Sequence, residues 1–161
     1  MSTYFAQVVA IKQAMLDVLT SNMGASGMLY GIKSIGGTFY SETGVWPFIG
    51  LDIVQIQKPE FVSIHKLRHC IEFCANVSVR SNTLLIDART ALNPFLDDGQ
   101  GNGLLQIIRE QYYQLLDGLI EKVDQGQIIF ISNVSENASS PPTAFFSEAA
   151  VFFNVYFTVN I

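Results

Sequence analysis

From Phe145 to Ile161 the sequence reads FFSEAAVFFNVYFTVNI, and this stretch decides the fold. Phe145, Ser147, Ala149, Val151, Phe153, Val155, Phe157, Val159 and Ile161 share one parity; Phe146, Glu148, Ala150, Phe152, Asn154, Tyr156, Thr158 and Asn160 share the other. Successive side chains of an extended chain point to opposite sides, so a period of two predicts a strand whose faces meet different surroundings. The first face is core. The second is half aromatic, so part of it is also expected to be covered, by a helix or by a neighbouring subunit. Phe146, Phe152 and Tyr156 are the residues expected in that contact.

A second alternating run fits beside it. Leu67, His69, Ile71, Phe73, Ala75, Val77 and Val79 share one face, and Arg68, Cys70, Glu72, Cys74, Asn76, Ser78 and Arg80 the other. Just before it, Phe48 to Gln57 is rich in β-branched residues, with Pro47 at its start and a break at Lys58-Pro59-Glu60. Two such runs across a short break pair most simply as a hairpin or meander. Turn residues surround them, at Gly36-Gly37 and from Ser41 to Gly44. A further short strand is expected from Met28 to Ile35, and another from Ile128 to Val134 after Gly126.

Helical spacing marks the rest. Phe5, Val8, Val9, Ile11, Met15, Leu16 and Leu19 predict an amphipathic helix from Tyr4 to Leu19, capped by Ser2 or Thr3 and stopped by Asn22, Gly24 and Gly27. The apolar run from Leu104 to Val123 repeats at i, i+3, i+4 and i+7 and predicts a long helix. Between Ser81 and Gly103 the pattern is lost. Leu84 to Leu92 is read as a short helix ended by Asn93-Pro94, within a segment that otherwise reads as an irregular loop or insertion, 81–103. Asp97, Asp98, Gly99, Gln100, Gly101, Asn102 and Gly103 form its open part and are expected to order only in an assembly. Ser135 to Thr143, with Pro141-Pro142, is a long connection. The expectation is one α+β domain over 1–161: an antiparallel or mixed β-sheet with two main helices packed on it, in the order α-β-β-β-(loop)-α-β-β.

Composition points to association. Charged residues are only 14% of the 161, against roughly a quarter in an ordinary domain, while 49% are hydrophobic and twelve are Phe. Apolar groups left after the core is filled collect in subunit contacts. A formal charge of −5 with nine Lys plus Arg and no basic run argues against gripping phosphate backbones. The N-terminal stretch lacks a signal-peptide pattern, and no apolar run approaches the roughly 18 to 20 residues of a membrane-spanning helix. In a reducing compartment Cys70 and Cys74 stay as thiols.

No candidate chemistry converges. His65, His69, Cys70 and Cys74 would present zinc ligands on a helix, the basis of an alternative reading as a small zinc-dependent enzyme using His65 and His69. On a strand His69 faces the core side, and Cys70 and Cys74 point the other way about 13 Å apart, which argues against a shared metal. The Asp97–Gly103 segment lacks the ligand spacing of a calcium loop and the Gly-Lys-Ser/Thr ending of a phosphate loop. Neither His lies near a Gly-x-Ser-x-Gly elbow, and nothing selects a pair among Glu42, Glu60, Glu72 and Asp87 for acid–base work. The Asn-x-Ser matches at Asn76, Asn133 and Asn137 are idle without secretion. No cofactor, metal site or catalytic group is therefore expected.

The chain resembles the tail terminator proteins of long-tailed bacteriophages. The resemblance rests on the helix Tyr4 to Leu19, on Trp46-Pro47-Phe48-Ile49-Gly50-Leu51-Asp52-Ile53, on the strand His69 to Arg80, on the helix Leu104 to Val123, and on the strand Ala149 to Ile161. It implies a virion subunit that forms a homohexameric ring on the last tail-tube ring, stops tube polymerisation and offers a docking surface to the head connector. Its implied partners are copies of itself, the tube protein, the connector or neck protein, and a sheath if the tail contracts. DNA would pass through the lumen without specific binding. Another neck or tail-completion ring shares the same architecture, and a monomeric ligand-binding domain is the third reading.

Overall fold

The computed structural model describes residues 4–39, 45–134 and 144–160. The turn expected around Ser41 to Gly44, the connection Ser135 to Thr143 and the final Ile161 lie outside the described residues. The two alternating runs are the centre of the molecule. β4 (Lys66–Ser81) and β6 (Phe145–Asn160) pair antiparallel along their whole length, from Lys66↔Asn160 to Ser81↔Phe145. β2 (Phe48–Ile56) and β3 (Glu60–Ser63) follow one another along the far side of β4, and β5 (Lys122–Val134) runs along the far side of β6. A three-residue β1 (Ser34–Gly36) pairs parallel with the start of β2. The mixed sheet has the order β1-β2-β4-β6-β5, with β3 beside β4.

Three helices cover one face. α1 (Tyr4–Ser21) buries Val8, Ile11, Met15, Val18 and Leu19, the stripe its periodicity predicts. α2 (Leu85–Leu96) buries Ala88, Leu92 and Leu96. α3 (104–115) is an α-helical turn, Leu104–Gln106, a wider π-helical turn, Ile107–Gln111, and a last α turn, Tyr112–Leu115. Their apolar sides meet Ile71, Phe73, Ala75 and Val77 of β4 and Ala149, Val151, Phe153 and Val155 of β6 in one core. Asn22 ties two helices together: its Nδ2 donates to Val18 O of α1 at 2.8 Å and to Gln111 Oε1 of α3 at 2.9 Å. The α+β architecture with helices packed on a mixed sheet is as the sequence predicts. None of the described helices is long and apolar enough to cross a membrane.

Four local expectations are corrected. The long helix ends at Leu115, because Gly118 adopts φ +89° and Glu121 N already donates to Tyr156 O at 2.7 Å, so Val123 belongs to a strand. Leu119, Ile120 and Val123 keep helical spacing by coincidence. The stretch Met28 to Ile35 is mostly turn: Gly31 has φ +101° and Ile32 N bonds Leu29 O at 3.0 Å, leaving only Ser34–Gly36 extended. The short helix read over Leu84 to Leu92 does not stop at Asn93-Pro94, since α2 occupies Leu85–Leu96 and runs past Pro94. Proline removes a single donor there, and burial of Leu96 outweighs the loss. Finally, β3 occupies part of what reads as a break after Gln57.

One close approach fixes the opposite face of the sheet. A Cβ at Gly50 would stand 2.0 Å from the Thr38 carbonyl oxygen and 2.9 Å from Phe39 Cα, so only glycine lets this segment cross β2. Gly50→Ala is expected to lower stability by about 1–3 kcal/mol through forced backbone displacement, read as a reduced urea midpoint with unchanged slope. A wild-type midpoint would contradict this packing.

Candidate assembly interface

The face turned away from the helices combines two surroundings. Cys70, Cys74, Asn76, Ser78 and Ala150 are buried there, while Phe146, Glu148, Phe152, Asn154 and Tyr156 are half-buried. The segment before β2 supplies part of the cover. Trp46 meets Phe146 edge-on at 5.5 Å, and the Arg80 guanidinium lies 5.5 Å from the Trp46 ring centre and 6.0 Å from that of Phe146. Tyr156 shares a hydrogen bond with Cys70, and Lys122 Nζ stands 5.6 Å above its ring. Phe152 lies opposite Cys74 and lines a groove. The structure thus places the three predicted residues in three distinct settings on one face, each still partly open.

That groove has a volume of about 330 Å³ and crosses four strands, from Val54 on β2 to Ile131 on β5, with Phe39 above it. Apolar groups make most of its wall. Asn76 lines it as a residue only 9% exposed, and its Oδ1, closed off from solvent, has no hydrogen-bond partner among the described residues. Glu148, on the neighbouring strand, makes no ion pair among the described residues. Burial, with a smaller contribution from Glu72, pushes the Cys74 thiol up to about 12, so it lines the groove as a neutral group.

Exposed apolar residues form runs at the two sheet edges, apart from those scattered over the helical side at Phe5, Val9, Ile86, Tyr113 and Leu115. Residues 54–66, the end of β2, β3 and the turn into β4, are all exposed. Among them Phe61 is 74% and Ile64 81% exposed, beside Val54, Ile56 and Val62. At the other edge Ile129, Phe130 and Ile131 are exposed in succession on β5, the last strand of the sheet. Single exposed apolar residues are ordinary, whereas runs of them mark contact surfaces. The sequence reading took 58–60 as a simple break and so missed this hairpin; Phe61, Val62 and Ile64 were the available signal. It also missed Asn76 and Glu148, whose isolation depends on cross-strand neighbours that no local pattern encodes.

The loop expected to be assembly-ordered is closed by its own carboxylates in the single chain. Asp97 Oδ1 accepts from Gly99 N at 2.8 Å, and Asp98 Oδ1 from Gln100 N at 2.8 Å and Asn102 N at 3.1 Å. Gly99, Gly101 and Gly103 all have positive φ, and a Cβ at Gly103 would meet Leu96 O at 2.4 Å. The Asn102 side chain holds the Asp98 carboxyl below its ordinary value, aided by those backbone donors.

The His and Cys residues do not converge. His65 is exposed in the turn before β4, and His69 is buried on the helix-covered face, 4.5 Å from the Tyr4 ring and 5.3 Å from that of Phe157. Cys70 and Cys74 point to the opposite face. Glu60, Glu72 and Asp87 sit on β3, β4 and α2. No protein-family model matches this sequence, and no curated protein matches it.

Two measurements follow from the buried titratable groups. Burial raises both thiols, so Cys70 and Cys74 should resist iodoacetamide at pH 8 in the folded chain and react on unfolding; rapid labelling of native protein would refute the packing. Burial lowers the His69 pKa, so the unfolded chain binds the extra proton more readily. The stability gained by keeping His69 neutral is complete above the unfolded value of about 6.5 and is lost as pH falls from there towards the folded value. The melting temperature should therefore drop as pH falls below about 6.5, and His69→Phe should flatten that segment of the profile.

Proposed function

We propose that this chain is a structural subunit that closes a ring with copies of itself and terminates a long bacteriophage tail. In this role it caps the last tube ring, stops polymerisation and offers the head connector a docking surface. The observation that supports it best is the fully exposed stretch 54–66, whose Phe61 and Ile64 stand almost as open as in an unfolded chain. A hairpin of that kind gains little from its own fold and a great deal from a neighbour.

The placement of two exposed apolar runs supports closure into a ring. The hairpin and the Ile129–Ile131 stretch occupy opposite edges of one sheet and differ in sequence, so they suit a head-to-tail contact between copies rather than a self-complementary pair. Head-to-tail contacts generate rings when the rotation closes. Six copies is the number the family resemblance implies. A charge of −5 suits a lumen that DNA traverses without being held. Contacts to the tube protein, to the connector and, in a contractile tail, to a sheath belong to the same reading.

The test joins light scattering with electron microscopy. The purified chain should show rings of uniform diameter and a mass that is an integer multiple of 17.8 kDa, and tails made without it should be irregular in length and poor at joining heads. A single-chain mass at every accessible concentration, or uniform and joining-competent tails in its absence, would overturn the reading.

A further inference from the structure

We infer that the outer-face groove seats the 54–66 hairpin of a second copy, with Glu148 of one chain binding a lysine of the next. This rests on the self-assembly reading and names the surfaces that would carry it. The groove offers a carboxylate with no counter-charge: Glu148, half-buried in its wall, makes no ion pair among the described residues. Around this carboxylate the wall is apolar, from Val54 and Phe39 to Phe152 and Ile131, and the Cys74 thiol adds no charge. Its complement is an apolar group bearing a cation.

The hairpin has that chemistry. Phe61 and Ile64 are its most exposed apolar residues, and Lys58, His65 and Lys66 stand beside them against the single acid Glu60. Neither Lys58 nor Lys66 makes an ion pair among the described residues. The register Glu60↔Arg68 and Phe61↔Leu67 holds β3 in the plane of its own sheet, so it does not fold back onto its own groove, and the occupant is another copy. A volume of about 330 Å³ accommodates one or two side chains, which fits the tip of a hairpin and not a domain face. The groove reaches Ile131 on β5, the edge strand on which the next copy would arrive. A lysine meeting a partly desolvated carboxylate would also fix the register of the contact, since misaligned copies would set like charges together.

Charge reversal tests this in the full chain, by light scattering at neutral pH over a range of concentrations. Wild type should assemble, E148K should shift the association midpoint at least about tenfold higher, and K58E or K66E should recover assembly when combined with E148K. Recovery also shows that E148K folds, and a matching far-UV spectrum checks each single variant. E148K that assembles like wild type means that something else fills the groove, and the docking proposal falls while self-assembly stands. Loss that neither lysine reversal recovers overturns the charge pairing. A wild-type chain that remains single at every concentration overturns both the docking and the reading it rests on.

Discussion

The β4–β6 ladder is the constraint on which the rest of the molecule depends. Sixteen residues of each strand pair without a register shift, so every side chain on both is committed to one face. A slip of one residue would move Phe73, Val77, Val151 and Phe153 from the helix-covered core to the other face and bring Glu72 and Asn154 inward. The hydrophobic term sets the register, and the register then fixes what the outer face displays: Cys74 beside Phe152, Asn76 beside Ala150, Ser78 beside Glu148. That face is a by-product of core formation in its geometry, though its chemistry is free to serve another purpose.

The same physics explains what the sequence discloses. Alternation over Leu67–Arg80 and Phe145–Asn160 is strong because burial on one face selects apolar residues at every second position, so both central strands are readable without coordinates. The α1 stripe is readable for the analogous reason at helical period. Legibility fails where packing is local. Leu116, Leu119, Ile120 and Val123 keep a helical spacing across Gly118, because the core needs apolar groups there whether they come from a turn or a strand. The Met28 to Ile35 stretch fails in the opposite sense: Leu29 and Ile32 are buried three residues apart on a turn, a spacing that neither template isolates. Pro94 was read as a stop, yet near the end of α2 its missing donor matters less than burial of Leu92 and Leu96.

The candidate interface was legible only in part. Phe146, Phe152 and Tyr156 stand out in the sequence because aromatic residues on the less apolar parity of a strand are conspicuous. Their separate settings depend on tertiary neighbours: Trp46 and Arg80 for the first, Cys74 for the second, Cys70 and Lys122 for the third. Asn76 had no signal at all. An asparagine on a strand is unremarkable until the backbone of Thr38 and Phe39, admitted by Gly50, crosses the same face.

The two sheet edges differ in how they are protected, and this bears on the kind of contact they make. Edge strands are usually blunted by charge, bulges or short length. β5 carries Lys122 and Asp124 near its start and a bulge between Gln125 and Ile128, so that half resists pairing with another strand. Beyond the bulge, Ile129, Phe130 and Ile131 have no such guard. On the opposite edge β1 covers only Phe48 to Gly50 of β2, and the following hairpin bears lysines at both ends. Two copies of β5 pairing antiparallel about a two-fold axis at the bulge would bring the guarded segment of one against the open segment of the other. Bringing the basic hairpin of one copy to the open half of β5 avoids that conflict and places it beside the unpaired Glu148. On the proposed reading, this charge placement suits a head-to-tail contact between copies, the kind of contact that can close into a ring.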